Sequence, residues 1–464
     1  MTISADEPTD ESDGHVAIVV SAEDRASEQI YEQLLAVTDW TTMSDDERTS
    51  AEGSGDVYRT DGFEMRTFED WHLELDGVAD VFDDPDLVVF ASRHSGETGP
   101  LLTAHHTGNF GSAEYGGEDR ALARAAPNAE SHVLDALAEY APEDYEVGME
   151  CTHHGPTDVG APSLFVEVGS GPDQWDDSDA AGAVARAILD LRGTAPDAPR
   201  EDGESSARRH LVGFGGNHYT PRFERVVRET DWAVGHIAAD WGLEALGDPA
   251  KADDVLDAAF EESNAEYALI DGEHPAVEGA IDALGYTVVS ETWLRAVEDV
   301  PLPFVRCVEN SVETVDDGLR FGTQAMGYDG EFEVVEIPGH LLDEAQGIDR
   351  EATRKAVEAV ALAFTTEQSA TLVGERAVVA DGNDREALID GLADVLRADY
   401  DEVIVEAAHV VARKEAFDPT LAADAGVPEG PKFGTLANGQ AVEVDGETVE
   451  PEAVTREREV TFPV

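Results

Sequence analysis

Cysteine is scarce in this sequence, and long apolar runs are missing. The only cysteines among the 464 residues are Cys151 and Cys307, too few to suggest a disulfide framework. No apolar run approaches the roughly 20 residues that a membrane-spanning helix needs. The acidic, polar stretch from Met1 to Gly14 lacks the apolar core of a signal peptide. These absences argue against a disulfide-stabilised secreted protein and a membrane protein, and they predict a soluble chain in the cytoplasm.

Positive charge is also scarce. The 30 Lys and Arg residues face 101 Asp and Glu residues, which gives a formal net charge of −71, and only four of the basic residues are lysines. Such a charge is typical of disordered chains, but regular apolar segments and 42% hydrophobic residues favour a folded core. At molar salt the Debye length is roughly 3 Å, so the self-repulsion of the acids would be screened. The composition therefore predicts a folded protein from a halophile, and we expect an archaeon.

Strands and helices alternate from residue 15 to about 295. This pattern predicts an α/β fold with three α/β/α layers around a mostly parallel sheet. Within it, 41–56 is polar enough to predict a loop, and His72–Leu75 alternates as a short strand would. The predicted organisation is a disordered segment at 1–13, a first domain at 14–295 with a polar linker at about 193–206, and a smaller α+β domain at 296–464.

Histidines gather where four predicted strands end. Six of the 14 histidines lie in four short stretches that are rich in small or hydroxyl residues, and each stretch follows a predicted strand. In α/β proteins such strand ends are where sites are usually built. The four stretches are Ser92–Ser95, Thr103–Asn109, Glu150–Thr157 and Gly215–Pro221.

The histidines and a neighbouring carboxylate are typical of a metal site. Neutral imidazole is the commonest metal ligand, and carboxylate is its usual oxygen partner. The spacing is not that of a zinc finger or a helical His-Glu-x-x-His motif, so one or two zinc ions would be held by several strand ends. Because adjacent residues of a strand point to opposite faces, His153 and His154 can share a site only if the chain has left the strand. Each histidine taken singly also fits a hydrogen-bonded structural role.

We assign roles to these residues from their chemistry. The predicted metal ligands are His94, His105, His218 and His236. The predicted catalytic residues are Glu150, His153, His154 and Thr107. The turn formed by Gly215, Gly216 and Asn217 sets amide groups at a helix N-terminus, where a developing oxyanion could be held. Cys151 is expected to be a small buried apolar residue.

Taken together, the four stretches resemble the motifs of the archaeal and plant type of D-aminoacyl-tRNA deacylase, in the same order and with similar gaps. The resemblance covers about residues 14–295. It implies hydrolysis of the ester between a D-amino acid and tRNA, zinc as the cofactor, and a fold related to peptidyl-tRNA hydrolase and phosphorylase-like enzymes. The sequence departs from the family in two places. Asn217 stands where the family tends to have a third glycine, and 296–464 extends beyond the compact family members.

The leading hypothesis is therefore a D-aminoacyl-tRNA deacylase in which zinc-assisted attack by water releases the free D-amino acid and tRNA. The alternatives are a peptidyl-tRNA hydrolase-like or nucleoside phosphorylase-like enzyme, and a tRNA-binding module without catalysis. We expect a monomer that contacts the acceptor end of tRNA and no membrane. The predicted phosphate contacts, unless these side chains pair with the abundant acids, are Arg208, Arg209, Arg222 and Arg225.

Overall fold

A computed structural model describes residues 15–45, 48–49, 53, 55–199 and 208–464. The segment predicted to be disordered, 1–13, and the end of the predicted linker lie outside the described residues. The chain divides into two compact units, Met1–Arg295 and Ala296–Val464. All of the site residues predicted above belong to the first unit.

The first part of the chain builds an eight-stranded sheet. Its strands are β1 (Val16–Ser21), β2 (Thr41–Asp45), β3 (Gly55–Thr60), β4 (Phe63–Phe68), β5 (Leu87–Arg93), β6 (Leu101–His105), β7 (Glu146–Met149) and β8 (Ser163–Gly169). Its helices are α1 (Arg25–Val37), α2 (Pro127–Tyr140), α3 (Pro172–Trp175) and α4 (Ser178–Leu189). The strand order is β2-β3-β4-β1-β5-β8-β6-β7.

The middle of this sheet is parallel. Strands β4, β1, β5 and β8 run in one direction, β6 is antiparallel to β8, and β2, β3 and β4 form an antiparallel edge. All six residues of β1 are buried, as expected for an apolar strand that is covered on both faces. Helix α1 begins after β1 because the Asp24 carboxylate caps it, accepting hydrogen bonds from the amides of Ala26 and Ser27.

The rest of the first unit builds a second, fully parallel sheet. Its strands are β9 (Arg209–Gly215), β10 (Trp232–Ala238), β11 (Tyr267–Asp271) and β12 (Thr287–Val289), in the order β10-β9-β11-β12. Its helices are α5 (Pro221–Glu229), α6 (Asp240–Leu246), α7 (Asp253–Glu261), α8 (Pro275–Leu284) and α9 (Glu291–Ala296). The predicted α/β class with a mostly parallel sheet is confirmed, although the parallel strands divide into two sheets.

Two local predictions in the first unit are wrong. His72–Glu74 is a 3-10 helix and not a strand. Its backbone hydrogen bonds join residues three apart in the chain, as in the bond of 3.2 Å from the Leu75 amide to the His72 carbonyl. The predicted loop at 41–56 contains β2 and the start of β3. Strand β2 is exposed along most of its length at the sheet edge, so its sequence lacks the apolar alternation that marks a half-buried strand.

The second unit mixes helices with antiparallel strands. Its helices are α10 (Leu302–Ser311), α11 (Gly339–Ile348), α12 (Arg350–Glu358), α13 (Gly382–Leu396), α14 (Pro419–Asp424) and α15 (Pro431–Ala437). Its strands are β13 (Arg320–Phe321), β14 (Glu333–Glu336), β15 (Ala363–Glu367), β16 (Leu372–Val379), β17 (Glu402–Glu406), β18 (His409–Phe417), β19 (Val442–Val444), β20 (Glu447–Val449) and β21 (Thr455–Pro463). They form sheets in the orders β13-β15-β16-β14, β17-β18-β21 and β19-β20. Across both units, none of the helices in the described residues has the length and apolar character that crossing a membrane requires.

Candidate active site

Three strands of the first sheet and one of the second deliver the predicted side chains to one place. His94 follows the last residue of β5, His105 ends β6, Glu150 follows β7, and the turn after β9 carries His218. The loop after β7 joins the two sheets, because the Cys151 amide donates to the His218 carbonyl at 2.9 Å. The four histidine stretches therefore meet because strand ends from both sheets face the same loop.

His105, His153 and His154 form the first group of ligating side chains. Their ligand atoms lie within 4.8 Å of one another, and the His105 and His153 ring centroids are 4.1 Å apart. The two adjacent histidines can share this site because β7 has already ended and His154 has a φ of 47°. Each of the three Nδ1 atoms lies 2.8–3.0 Å from a backbone carbonyl oxygen, so each Nδ1 carries the proton. The three Nε2 atoms are therefore the free ligand atoms.

Glu150 lies at the centre of a second group. This buried carboxylate lies 2.7 Å from His218 Nε2 and 3.1 Å from His94 Nδ1. Burial alone would raise the pKa of Glu150, but its hydrogen bonds to His218 and His94 outweigh burial and hold that pKa well below its usual range. Burial alone would lower the pKa of His218, but its bonds to Cys151 and Glu150 raise it to about 10. Glu150 and His218 thus form a carboxylate–imidazolium pair at neutral pH.

Glu167 is a site residue that the sequence reasoning missed. It lies in β8, is 3% exposed, and places its carboxylate 3.7 Å from both His105 Nε2 and His94 Nδ1. Burial raises its pKa, while the nearby His105 ring acts in the opposite direction. One feature of the sequence pointed to Glu167, namely its place inside an otherwise apolar strand. An acid in such a position is rarely buried without a partner.

Cys151 is buried, as predicted, but it also contacts the site. Its Sγ lies 3.5 Å from His218 Nδ1, on the side of the ring opposite Glu150. Cys151, His153 and His218 make a third group whose ligand atoms lie within 4.8 Å of one another. The predicted burial of this residue is confirmed, and its thiol in addition contacts a histidine of the site.

His236 and Thr107 lie outside these three groups. His236 Nε2 donates to the Ala123 carbonyl at 2.7 Å, and its Nδ1 lies 3.1 Å from the Thr152 hydroxyl. Both ring nitrogens are therefore occupied, and His236 is corrected from a metal ligand to a structural residue. Thr107 is fully buried, and its hydroxyl has no hydrogen-bond partner among the described residues. Among the described residues, therefore, no hydrogen bond of its side chain links Thr107 to the histidines or carboxylates of the site.

The turn after β9 depends on its two glycines. Gly215 and Gly216 have φ values of 89° and 79°, and a Cβ at Gly215 would lie 2.0 Å from the Asp271 carbonyl oxygen. Asn217 is not among the residues with positive φ, so a third glycine is not required there. Its side chain instead accepts a hydrogen bond of 2.9 Å from the Tyr219 amide. The departure from the family pattern at this position leaves the turn intact.

The four arginines predicted to bind tRNA are occupied within the protein. Arg209 is 4% exposed and so cannot present its charge at the surface. Arg222 and Arg225 share the Glu291 carboxylate, at 3.4 and 2.8 Å. Arg208 bonds to an aspartate at 3.0 Å and to backbone carbonyls. Pairing with acids, the alternative that the sequence left open, is what the structure shows for Arg208, Arg222 and Arg225.

Comparisons with known proteins converge on one family. A sequence model described as D-aminoacyl-tRNA deacylase matches residues 81–289. The D-aminoacyl-tRNA deacylase of Natronomonas pharaonis is 55% identical over 447 residues, which cover 96% of this chain and 99% of that relative. The D-aminoacyl-tRNA deacylase of Haloarcula marismortui is 54% identical and covers 96% of this chain and 98% of its own length. The crystal structure of a conserved protein of unknown function is 30% identical, has a TM-score of 0.52, and covers 61% of this chain and 97% of that protein.

Two consequences follow for the whole chain. The matches to the two haloarchaeal relatives extend through residues 296–464, so these relatives also carry the C-terminal unit. The organisms of these two relatives support the halophilic archaeal origin that the composition predicted.

Proposed function

Because this chain belongs to the D-aminoacyl-tRNA deacylase family, we propose that it hydrolyses the ester bond between a D-amino acid and tRNA. The products are the free D-amino acid and the tRNA. The observation that carries the proposal is the group of His105, His153 and His154 beside the buried carboxylates of Glu150 and Glu167. Such a cluster combines a metal site with groups that accept and donate protons.

The three histidines fit a zinc ion. Their Nδ1–H groups donate to backbone carbonyls, as the outer-shell bonds of zinc-binding histidines do. Burial lowers the pKa of His153 well below its usual range and that of His154 to about 3, so both rings are neutral, as ligands must be. The buried Nε2 of His105 has no hydrogen-bond partner among the described residues, a condition that a metal ion would relieve. Zinc held there would supply Lewis acidity toward water and the ester carbonyl.

We propose one ion for this site. His218 Nε2 hydrogen-bonds to the Glu150 carboxylate at 2.7 Å, and His94 Nδ1 lies 3.1 Å from the same carboxylate as an ion-pair partner. These two histidines, which the sequence predicted as ligands, instead orient the carboxylate between them. A second ion would have to displace bonds between oppositely charged groups, whereas an ion among His105, His153 and His154 would displace none.

Glu167 is the proposed proton acceptor for the attacking water. Its carboxylate lies 3.7 Å from the free nitrogen of His105, and its raised pKa makes it the stronger base of the two buried acids. Glu150 is the weaker base, because its bonds to His94 and His218 stabilise its ionised form. Glu150 therefore acts as a positioning residue.

His218 is the proposed electrostatic stabiliser of the negative charge that develops on the ester carbonyl oxygen. Its two ring nitrogens already face Glu150 and Cys151, so it acts through its charge and not by donating a hydrogen bond. Its ring is protonated at neutral pH, and its side chain is 32% exposed, so a substrate can approach it. The amides of the Gly215–Asn217 turn lie directly before it in the chain and would add donors. Discrimination between D- and L-amino acids would come from the shape of the pocket.

The test is deacylation by the purified full chain in molar KCl, with D-tyrosyl-tRNA and L-tyrosyl-tRNA as parallel substrates. We expect rapid release of D-tyrosine and little release of L-tyrosine. Chelation followed by dialysis should abolish the D-specific activity, and added zinc should restore it. Equal rates on both substrates would contradict the proposed specificity. Full activity of chelated, dialysed protein would contradict the role of the metal.

A further inference from the structure

Arg93, the last residue of β5, lies between two tryptophan rings. Its guanidinium carbon is 4.4 Å from the Trp71 ring centroid and 4.7 Å from the Trp175 ring centroid. Both distances are well within the roughly 6 Å at which a cation is attracted to an aromatic face. All three side chains are partly exposed. The two rings flank the guanidinium, and its N–H groups remain the part that can bind a ligand.

No carboxylate bonds to this guanidinium among the residues that the structure describes. Asp24, an acid that bonds to the Arg93 backbone, accepts hydrogen bonds from the Arg93 amide at 3.0 Å and from the Ser92 hydroxyl at 3.1 Å. It also caps α1, so its oxygens are used by other donors. Arg93 thus keeps a cationic edge that the protein itself does not neutralise.

This clamped arginine adjoins the candidate active site. His94 is the next residue, and its Nδ1 lies 3.1 Å from Glu150. The indole N–H of Trp175 donates to the His94 carbonyl at 2.9 Å, which ties one wall of the clamp to the site backbone. The clamp thus contacts the backbone of a residue whose side chain belongs to the site.

We propose that Arg93 binds the phosphate attached to the terminal nucleoside of the aminoacylated tRNA. This inference rests on the proposed function, because it concerns the nucleotide that carries the ester. A guanidinium presents parallel N–H donors that match two phosphate oxygens, and the tryptophan clamp holds that fork in one plane before substrate arrives. Partial desolvation by the two rings keeps the interaction effective at high salt, where exposed charges are screened. The clamp is a substrate-binding element outside the residues assigned to the chemistry.

Isothermal titration calorimetry on the full chain tests this without turnover. The probes are adenosine 5′-monophosphate (AMP), adenosine and inorganic phosphate, each titrated in molar KCl. We expect AMP to bind wild type about tenfold more tightly than adenosine, as one charge-assisted contact would give. Arg93→Gln should weaken the binding of AMP about tenfold and leave the affinity for adenosine unchanged. Arg192→Gln, which removes an arginine that is near the Phe63 ring but paired with Asp61, is the matched control and should behave as wild type.

Three results would overturn the proposal. One is equal affinity of wild type for AMP and adenosine, and another is unchanged AMP affinity in folded Arg93→Gln. The third is inorganic phosphate binding as tightly as AMP, which would mark a general anion site.

Arg93→Lys keeps the charge without the paired N–H donors of the guanidinium, and it gives a second measurement if Arg93→Gln does not fold. We expect Arg93→Lys to weaken the binding of AMP roughly threefold. Full wild-type affinity of this variant would contradict recognition by the paired N–H donors of the guanidinium. Because the titration needs no turnover, it separates failure of this inference from failure of the deacylase proposal.

Discussion

At the residue scale, the partner of the second ring nitrogen separates the histidines of the proposed metal site from a histidine of the core. His105, His153 and His154 each donate from Nδ1 to a backbone carbonyl and keep Nε2 free. His236 has partners on both nitrogens, and one of them is the Ala123 carbonyl on a distant part of the chain. Histidine is therefore a candidate metal ligand at the first three positions and a structural residue at position 236.

Removing one histidine of the proposed metal site should remove metal and activity together. We expect His105→Ala, His153→Ala and His154→Ala each to lower deacylation turnover at least ~10²-fold, because each deletes a ligand. Elemental analysis after dialysis should show a matching loss of zinc. His132→Ala, at an exposed position of α2, is the control and should keep both. Folded variants with normal turnover and full zinc content would contradict the assignment.

His236 should make the fold sensitive to acid. Burial lowers its pKa in the folded chain to about 4, below the roughly 6.5 expected when unfolded. Between these values the unfolded chain binds the proton and the folded chain does not, so acidification favours unfolding. His236→Gln should therefore lose less stability between pH 6.5 and 4, by on the order of 1 kcal/mol per pH unit. Denaturant titrations in molar KCl measure this slope, and a slope equal to that of wild type would contradict the prediction.

At the element scale, tight connections after strands position the site, and the turn after β9 is the tightest of them. Residue Asp271 of β11 pairs with Gly215 of β9, which places the Asp271 carbonyl where a Gly215 side chain would be. The same turn aims His218 at Glu150. A substitution in this turn should therefore lower the stability of the second sheet and also displace His218 from Glu150.

Two glycine substitutions should have opposite effects on stability. Gly215→Ala forces a side chain into a positive φ and against the Asp271 carbonyl, and should cost at least ~2 kcal/mol. Gly279→Ala, at an exposed position of helix α8 with no atom within 4 Å of the added methyl group, should stabilise the fold by roughly 0.5–1 kcal/mol. Denaturant unfolding of both variants measures the contrast. Equal stability of the two variants would show that the turn tolerates a side chain.

At the scale of the whole molecule, the site residues and the acidic character are distributed differently. All of the proposed site residues belong to the first compact unit, whereas acids occur throughout both units. A net charge of −71 favours unfolding by self-repulsion unless salt screens it. The chemistry is therefore assigned to one unit, while the salt requirement belongs to the entire chain.

Truncation directly after α9, near residue 296, should keep deacylase activity. The reason is that Glu150, Glu167 and the site histidines all lie before 240, and the first unit has its own core. The measurement is turnover of D-tyrosyl-tRNA by the truncated and full-length chains, each in molar KCl after circular dichroism confirms the fold. A truncated chain that is folded and soluble but inactive would show that residues 296–464 complete the site.

The sequence by itself determined the α/β class, the order of most strands and helices, and the four histidine stretches at strand ends. These follow from local periodicity and from turn residues, which act over a few neighbouring positions. It did not separate Glu167 from an ordinary strand residue, nor His236 from a ligand. Only the tertiary structure decided these points, because burial and the partner of each polar atom come from chain segments far apart in sequence. The pairing of Arg222 and Arg225 with Glu291 was decided in the same way.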